Sequence, residues 1–236
     1  RDMTIRDPSF FISAPFGNWI THKNAVSVKG TFTLYPQGNR LFSVIRSLRY
    51  TKDGWRNKLG LPNPGLRSIQ LPDKSPISIA ETARNQFIEI NDIIPKDQSI
   101  ELNLSCPNIG KTLPWDYIHI FPNKKREWCI AKLSPLTTPE EIEYVLKAGF
   151  TTLHFSNTLP TKKGGLSGKT LIPYTKDLIR IVRKDFSGTP VEIIAGGGVT
   201  NEEHVIDYIQ EGANHVSLGS GFLPPNYFKT TKLLKG

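Results

Sequence analysis

Three groups of residues in this 236-residue chain have types and spacing that could do chemistry. The first is glycine: Gly196-Gly197-Gly198 stands between a strand-like run and a helix opening at Thr200, and Gly219-Ser220-Gly221 follows the next such run. Backbone N–H groups without side chains, backed by a helix N-terminus, suit a phosphate dianion. The second is a pair of lysines, Lys29 and Lys132, each set among apolar neighbours. An ammonium there costs desolvation unless an anion or dipole meets it. Each could stabilise negative charge on a bound ring or pair with a carboxylate such as Glu101. The third is Asn103-Leu-Ser-Cys-Pro-Asn108. Alternation turns Asn103 and Ser105 to one face, and Pro107 then halts the strand. Asn103 and Asn108 could bracket a planar ligand that both donates and accepts, as an amide does. Cys106 between them is either a thiol usable as a general base or a plain turn cysteine.

The elements that must position these residues alternate. Eight short apolar runs read as strands: Phe10–Ala14, Ala25–Thr33, Pro76–Ala80, Ile100–Leu104, Cys129–Leu133, Thr151–Ser156, Val191–Ala195 and His215–Leu218. Helix signals stand between the later ones, with Thr138-Pro139-Glu140-Glu141 as N-cap, proline first turn and acidic start. Strands alternating with helices imply a parallel sheet, and eight units imply an α/β (β/α)8 TIM barrel. Residues 1–236 then form one domain, with an abbreviated first helix and C-terminus. Only Pro15–Asn24 separates the first two runs, and Tyr35–Leu71 reads as a long loop. All eight strand tips would converge on one face, where a barrel keeps its chemistry.

Composition is that of a globular chain, 38% hydrophobic and 22% charged, with no apolar run near the ~20 residues a membrane helix needs. The net charge of +9 could serve a polyanion such as RNA. Because the lysines and arginines are scattered, a basic surface suited to a phosphate-bearing cofactor is the better reading, and nucleic acid is not expected. Two cysteines in unlike settings give no disulfide framework, which points to a reducing, cytoplasmic setting. No metal-ligand pattern is present.

Asn-Leu-Ser-Cys-Pro-Asn at the end of a fourth strand resembles the signature of the dihydroorotate dehydrogenases. Val28-Lys29-Gly-Thr, Asn57-Lys-Leu-Gly-Leu-Pro-Asn63, Lys132, Ser156-Asn157-Thr158, Gly164-Gly-Leu-Ser-Gly168, Gly196–Gly198 and Gly219-Ser220 agree with it in order. The resemblance implies FMN as cofactor and dihydroorotate as substrate, oxidised to orotate. It makes Cys106 the base, as in the soluble class. It implies substrate contacts from Lys29, Asn57, Gly60, Leu61, Asn103, Asn108, Asn157 and Thr158. Ser13, Ala14, Lys29, Gly30, Asn103, Lys132 and Ser156 would surround the flavin, while Ser167, Gly168, Gly197, Gly198, Gly219 and Ser220 would hold its ribityl chain and phosphate. A homodimer fits the same family; the electron acceptor is left open. Two other readings stand beside this one: a dihydropyrimidine or dihydrouridine reductase on the same barrel, and an inactive barrel kept as a binding subunit.

Overall fold

The structure, a computed structural model, describes residues 6–38, 48–57, 62–72, 74–104, 115–156, 158–162 and 164–235. Apolar β-branched runs become strands, and these close on themselves. In chain order the strands are β1 (Phe10–Ile12), β2 (Ala25–Ser27), β3 (Lys29–Phe32), β4 (Leu48–Thr51), β5 (Gly54–Asn57), β6 (Ile77–Ile79) and β7 (Ile100–Asn103). There follow β8 (Cys129–Leu133), β9 (Thr152–Phe155), β10 (Leu159–Thr161), β11 (Gly164–Ser167), β12 (Glu192–Gly196) and β13 (His215–Leu218). One parallel sheet runs β2-β1-β13-β12-β9-β8-β7-β6-β3. Its two outer members are consecutive in the chain, broken only at Val28. The Val28 N–H donates to the Ile12 carbonyl at 2.9 Å, and the next N–H, of Lys29, donates to the Pro76 carbonyl at 2.8 Å. The run expected as one strand, Ala25–Thr33, therefore bonds β1 with its first half and β6 with its second. Eight staves close the barrel.

Helices α1 (Gln86–Ile93), α2 (Pro139–Lys147), α3 (Ile172–Asp185), α4 (Glu202–Glu211) and α5 (Tyr227–Leu233) follow the later strands. After β1 stands a single 3-10 turn, Phe16–Asn18, consistent with the abbreviated first helix. The N-cap read at α2 is present and is completed to a capping box, with Thr138 Oγ1 accepting from the Glu141 N–H and Glu141 accepting from the Thr138 N–H. In α4 the cap is Asn201, one residue later than the sequence suggests, because its side chain accepts from the His204 N–H.

Parallel strands buried on both faces have two apolar surfaces. Outward side chains such as Ile77, Leu102, Ala131, Leu153, Ile193 and Val216 pack under the helices. A smaller inward cluster holds Phe11, Val28, Trp128, Ile130 and Ile194. A second sheet, β10-β11-β5-β4, is antiparallel. Half of it was read as loop: β4 and β5 form a hairpin around Lys52-Asp53 within the segment Tyr35–Leu71. The hairpin joins β11 through the Ser167↔Trp55 pairing.

Candidate active site

Strand register decides which side chains share the barrel interior. Glu101 pairs with Ile130, Asn103 with Lys132, and Lys132 with His154, so Glu101, Asn103, Lys132 and His154 all point inward. The Lys132 ammonium stands 3.7 Å from Glu101 Oε1, and His154 Nδ1 lies 2.7 Å from Glu101 Oε2. All three side chains are buried. Burial alone would raise the Glu101 carboxyl; the Lys132 charge, the bond from His154 and the nearby Ser78 hydroxyl outweigh it and hold the group well below the usual carboxylate range. Burial lowers His154 more than Glu101 raises it, so a neutral imidazole contributes an Nδ1–H hydrogen bond rather than a charge. Of the two lysines, Lys132 thus takes the carboxylate. Lys29, half-buried in β3, donates to the Gly17 carbonyl at 2.5 Å.

Above this layer the strand tips are small. Ser13 Oγ meets Ser217 Oγ across β1 and β13. A Cβ on Gly196 would lie 2.6 Å from Ser156 Oγ and 3.0 Å from Ser217 Cβ, and one on Gly219 would lie 3.7 Å from Ser13 Cβ. Ser13, Ser156, Gly196, Ser217 and Gly219 thereby form one patch without bulk. Ala14 follows Ser13 directly. Gly30 exchanges two 2.8 Å hydrogen bonds with the Asn18 side chain. Asn103 is buried at the end of β7, its Nδ2 3.5 Å from Thr31 Oγ1. Thr158 packs on Gly165, where a Cβ would come within 2.4 Å of Thr158 Oγ1. Cys106, Asn108, Gly60, Leu61 and Asn157 lie outside the described residues, and Asn57 is described only as a backbone member of β5.

Beside the patch is a cleft lined by Gly168, Lys169, Gly198, Thr200, Ser220 and Gly221, roofed by Tyr50, Asp53, Gly54 and Trp55. Gly198 has φ +74°, and a Cβ there would stand 2.8 Å from the Gly168 carbonyl oxygen; only glycine lets the two loops approach this closely. Gly197 sits beside it with φ +96°. The roof is tied down at three points. Trp55 Nε1 donates to the Pro224 carbonyl at 3.0 Å, Thr170 Oγ1 to the Asp53 carbonyl at 2.9 Å, and Ser167 Oγ to the Trp55 carbonyl at 3.2 Å. Of the residues expected to hold the phosphate end, Gly168, Gly198 and Ser220 line this cleft, and Ser167 and Gly197 are their chain neighbours. Sequence reading missed Lys169, the cation of the cleft, and it missed the roof.

The residues fit a group with a phosphate at one end and a flat ring at the other. Glycine backbone and Lys169 suit the anion. The small patch leaves room for the ring. The ammonium of Lys132 makes no hydrogen bond among the described residues and has donors to offer it. Groups of three or more potential metal ligands are absent among the described residues. Cys129, half-buried in β8, is the inert thiol its apolar surroundings suggest, pushed up to about 12 by burial.

Fold and rim together define a parallel α/β barrel with a glycine-lined cleft at the last two strand tips, where such barrels usually bind phosphate. Residues 117–236 match the family model described as dihydroorotate dehydrogenase. The chain is 31% identical over 231 residues to a dihydroorotate dehydrogenase B (NAD(+)), catalytic subunit, of Endomicrobium trichonymphae, covering 83% of this chain and 74% of that one. It is 25% identical over 281 residues to the protein of that name from Lachnoclostridium phytofermentans, covering 99% and 90%. A crystal structure of DHODH from Eimeria tenella in complex with ferulenol superposes with a TM-score of 0.71 at 20% identity, over 96% of this chain and 79% of that one, which shows the fold. The chain belongs to the dihydroorotate dehydrogenase family, oxidoreductases that depend on flavin. No helix among the described residues is long and apolar enough to cross a membrane.

Proposed function

We propose that this protein oxidises dihydroorotate to orotate with FMN as its cofactor and Cys106 as general base. The observation that carries the reading is the buried Lys132 ammonium, 3.7 Å from Glu101 and without a hydrogen bond among the described residues, beneath a small-residue patch that adjoins the glycine and Lys169 cleft. FMN, when bound, supplies the acceptor for the hydride that leaves C6 of the substrate. The chain's residues do the rest. The backbone of Gly168, Gly198 and Ser220 with Lys169 holds the phosphate end. Lys132, over Glu101, presents positive charge where the ring gains negative charge. Asn57, Asn103, Asn108 and Asn157, with the Gly60-Leu61 backbone, Lys29 and Thr158, orient the pyrimidine and its carboxylate. Cys106 takes the C5 proton as a thiolate, which suits a group whose ordinary pKa is near 8.5. Two cysteines in unlike settings, which give no disulfide framework, favour the cytoplasm as its place of work.

An anaerobic titration with dihydroorotate tests the reading: a yellow holoenzyme with an absorbance band near ~450 nm should bleach stoichiometrically, since the bound flavin carries the redox chemistry. Cys106→Ala should keep its flavin and lose bleaching by roughly 10²–10⁴-fold in rate, the usual range for a positioned base. Bleaching of that variant at the wild-type rate would remove Cys106 from the mechanism. A protein that takes up no FMN would remove the whole reading. Relatives are named for NAD(+) and for fumarate, so reoxidation should be followed with both acceptors in parallel.

A further inference from the structure

Glu101 is the one carboxylate of the described inner layer in contact with both Lys132 and His154, and its two oxygens are treated differently. Oε2 is bonded to His154 Nδ1 at 2.7 Å, whereas Oε1 stands 3.7 Å from the Lys132 ammonium and has no hydrogen-bond partner among the described residues. An ammonium and a carboxylate in a dry interior attract strongly and ordinarily close to 2.7–2.9 Å. Here they do not. The ring of His154 is fully buried, and its Nε2 likewise has no partner among the described residues. The bond to Glu101 is therefore the polar contact that fixes the imidazole. The Ser78 hydroxyl, 3.1 Å from Thr31 Oγ1, faces Glu101 as well and favours its charged form. Ile130 and Ile194, the register neighbours of Glu101 and His154, are fully buried. Water cannot mediate from that side.

We propose that His154 is a positioning residue. By binding Glu101 Oε2 it stops the carboxylate from closing on Lys132, and so keeps the lysine ammonium available to the flavin ring. The inference rests on the proposed flavin site and adds to it a residue that touches neither cofactor nor substrate. Without His154 the carboxylate would turn and take the ammonium between both oxygens, which satisfies the ion pair but withdraws positive charge from the ring. The reduced ring, which carries the additional negative charge, would lose more from this than the oxidised one.

The test compares wild-type protein with His154→Leu, His154→Asn and Ser78→Ala. Two quantities are read: the relative affinity for reduced and oxidised FMN, from the midpoint potential of the holoenzyme, and acetylation of Lys132 in FMN-free protein, by mass spectrometry. His154→Leu should shift the affinity ratio about tenfold toward oxidised FMN, a fall of about 30 mV for a two-electron couple, and should slow acetylation of Lys132. His154→Asn, whose amide N–H can replace Nδ1–H, should restore both. Ser78→Ala should move both in the same direction, by less. A folded His154→Leu with the wild-type ratio and wild-type labelling overturns the proposal. If that variant does not fold, Ser78→Ala decides, and wild-type values there overturn it equally. If wild-type protein takes up no FMN, the flavin reading falls while Lys132 labelling still judges the role of His154.

Discussion

Two buried glutamates show how a few neighbours set opposite behaviour for one residue type. Glu101 meets a lysine and the bond from His154 and stays ionised. Glu81, at the tip of β6, is nearly as buried; it accepts the Phe87 N–H at 2.7 Å at the start of α1, with Asp116 adding negative charge nearby. Burial, opposed only in part by that hydrogen bond, raises its carboxyl from 4.5 to about 7. A carboxyl raised on folding contributes stability that is whole below 4.5 and lost as pH rises through about 7. Glu81→Gln keeps the acceptor for Phe87 and cannot ionise. It should be neutral to slightly destabilising at pH 5 and more stable than wild type by roughly 1–2 kcal/mol at pH 8, less than full linkage because the site is partly hydrated. Denaturant unfolding at the two pH values checks this. Equal effects at both would mean that the Glu81 charge is already compensated.

Among the elements, the hairpin of β4 and β5 has the sharpest conformational demand. Gly54 has φ +130°, and a Cβ there would come within 1.9 Å of the Ser167 carbonyl oxygen. Gly54→Ala should therefore lift the roof from the cleft, at ~1–3 kcal/mol of strain for a β-carbon in that backbone region. The expected result is FMN affinity down about tenfold, that strain being comparable to the ~1.4 kcal/mol a tenfold change requires, with an unchanged far-ultraviolet spectrum. Unaltered affinity would show that the roof does not hold the cofactor. This hairpin was legible and went unread: Asp53-Gly54 between Tyr50 and Trp55 is a turn signal flanked by aromatic strand formers, masked by the charged and glycine-rich sequence around it. The eight staves were legible because parallel strands buried on both faces are continuous apolar runs. The break at Val28 was not, since a strand that changes partners keeps one pattern throughout. In the site, glycine tips announce themselves by composition. Lys169 and His154 do not, because a lysine after a loop and a histidine within a strand acquire meaning only from what the barrel brings beside them.

For the whole molecule, the barrel has an open rim and a sealed floor, and the two ends can be perturbed separately. At the floor, Arg6 lies 3.7 Å over the Trp128 ring, donates from Nη1 to Glu192 Oε2 at 3.0 Å and from its backbone N–H to Glu192 Oε1 at 2.8 Å. His215 accepts the Ser9 N–H at Nδ1, which leaves its Nε2–H facing Glu192 at 3.8 Å. Burial would raise the Glu192 carboxyl, but the nearby His215 ring and the backbone bond and charge of Arg6 pull it below its ordinary value. A carboxyl lowered on folding contributes stability present above its unfolded pKa and lost as pH falls through the folded one. Arg6→Ala uncovers Trp128 and leaves a nearly buried carboxylate with fewer partners. Because the guanidinium is 39% exposed, the loss at pH 7 should be discounted for solvent to roughly 1–2 kcal/mol, or ~2–8 °C in Tm for a chain of this size. The loss should shrink below about pH 4, where Glu192 protonates in the unfolded chain. FMN affinity should be unchanged, since the cleft and Lys132 occupy the opposite end of the staves. Thermal unfolding at pH 7 and pH 3.5, with a flavin fluorescence titration alongside, measures all three. A fall in FMN affinity would show that the two ends of the barrel are coupled through its interior, and the floor would then belong to the site.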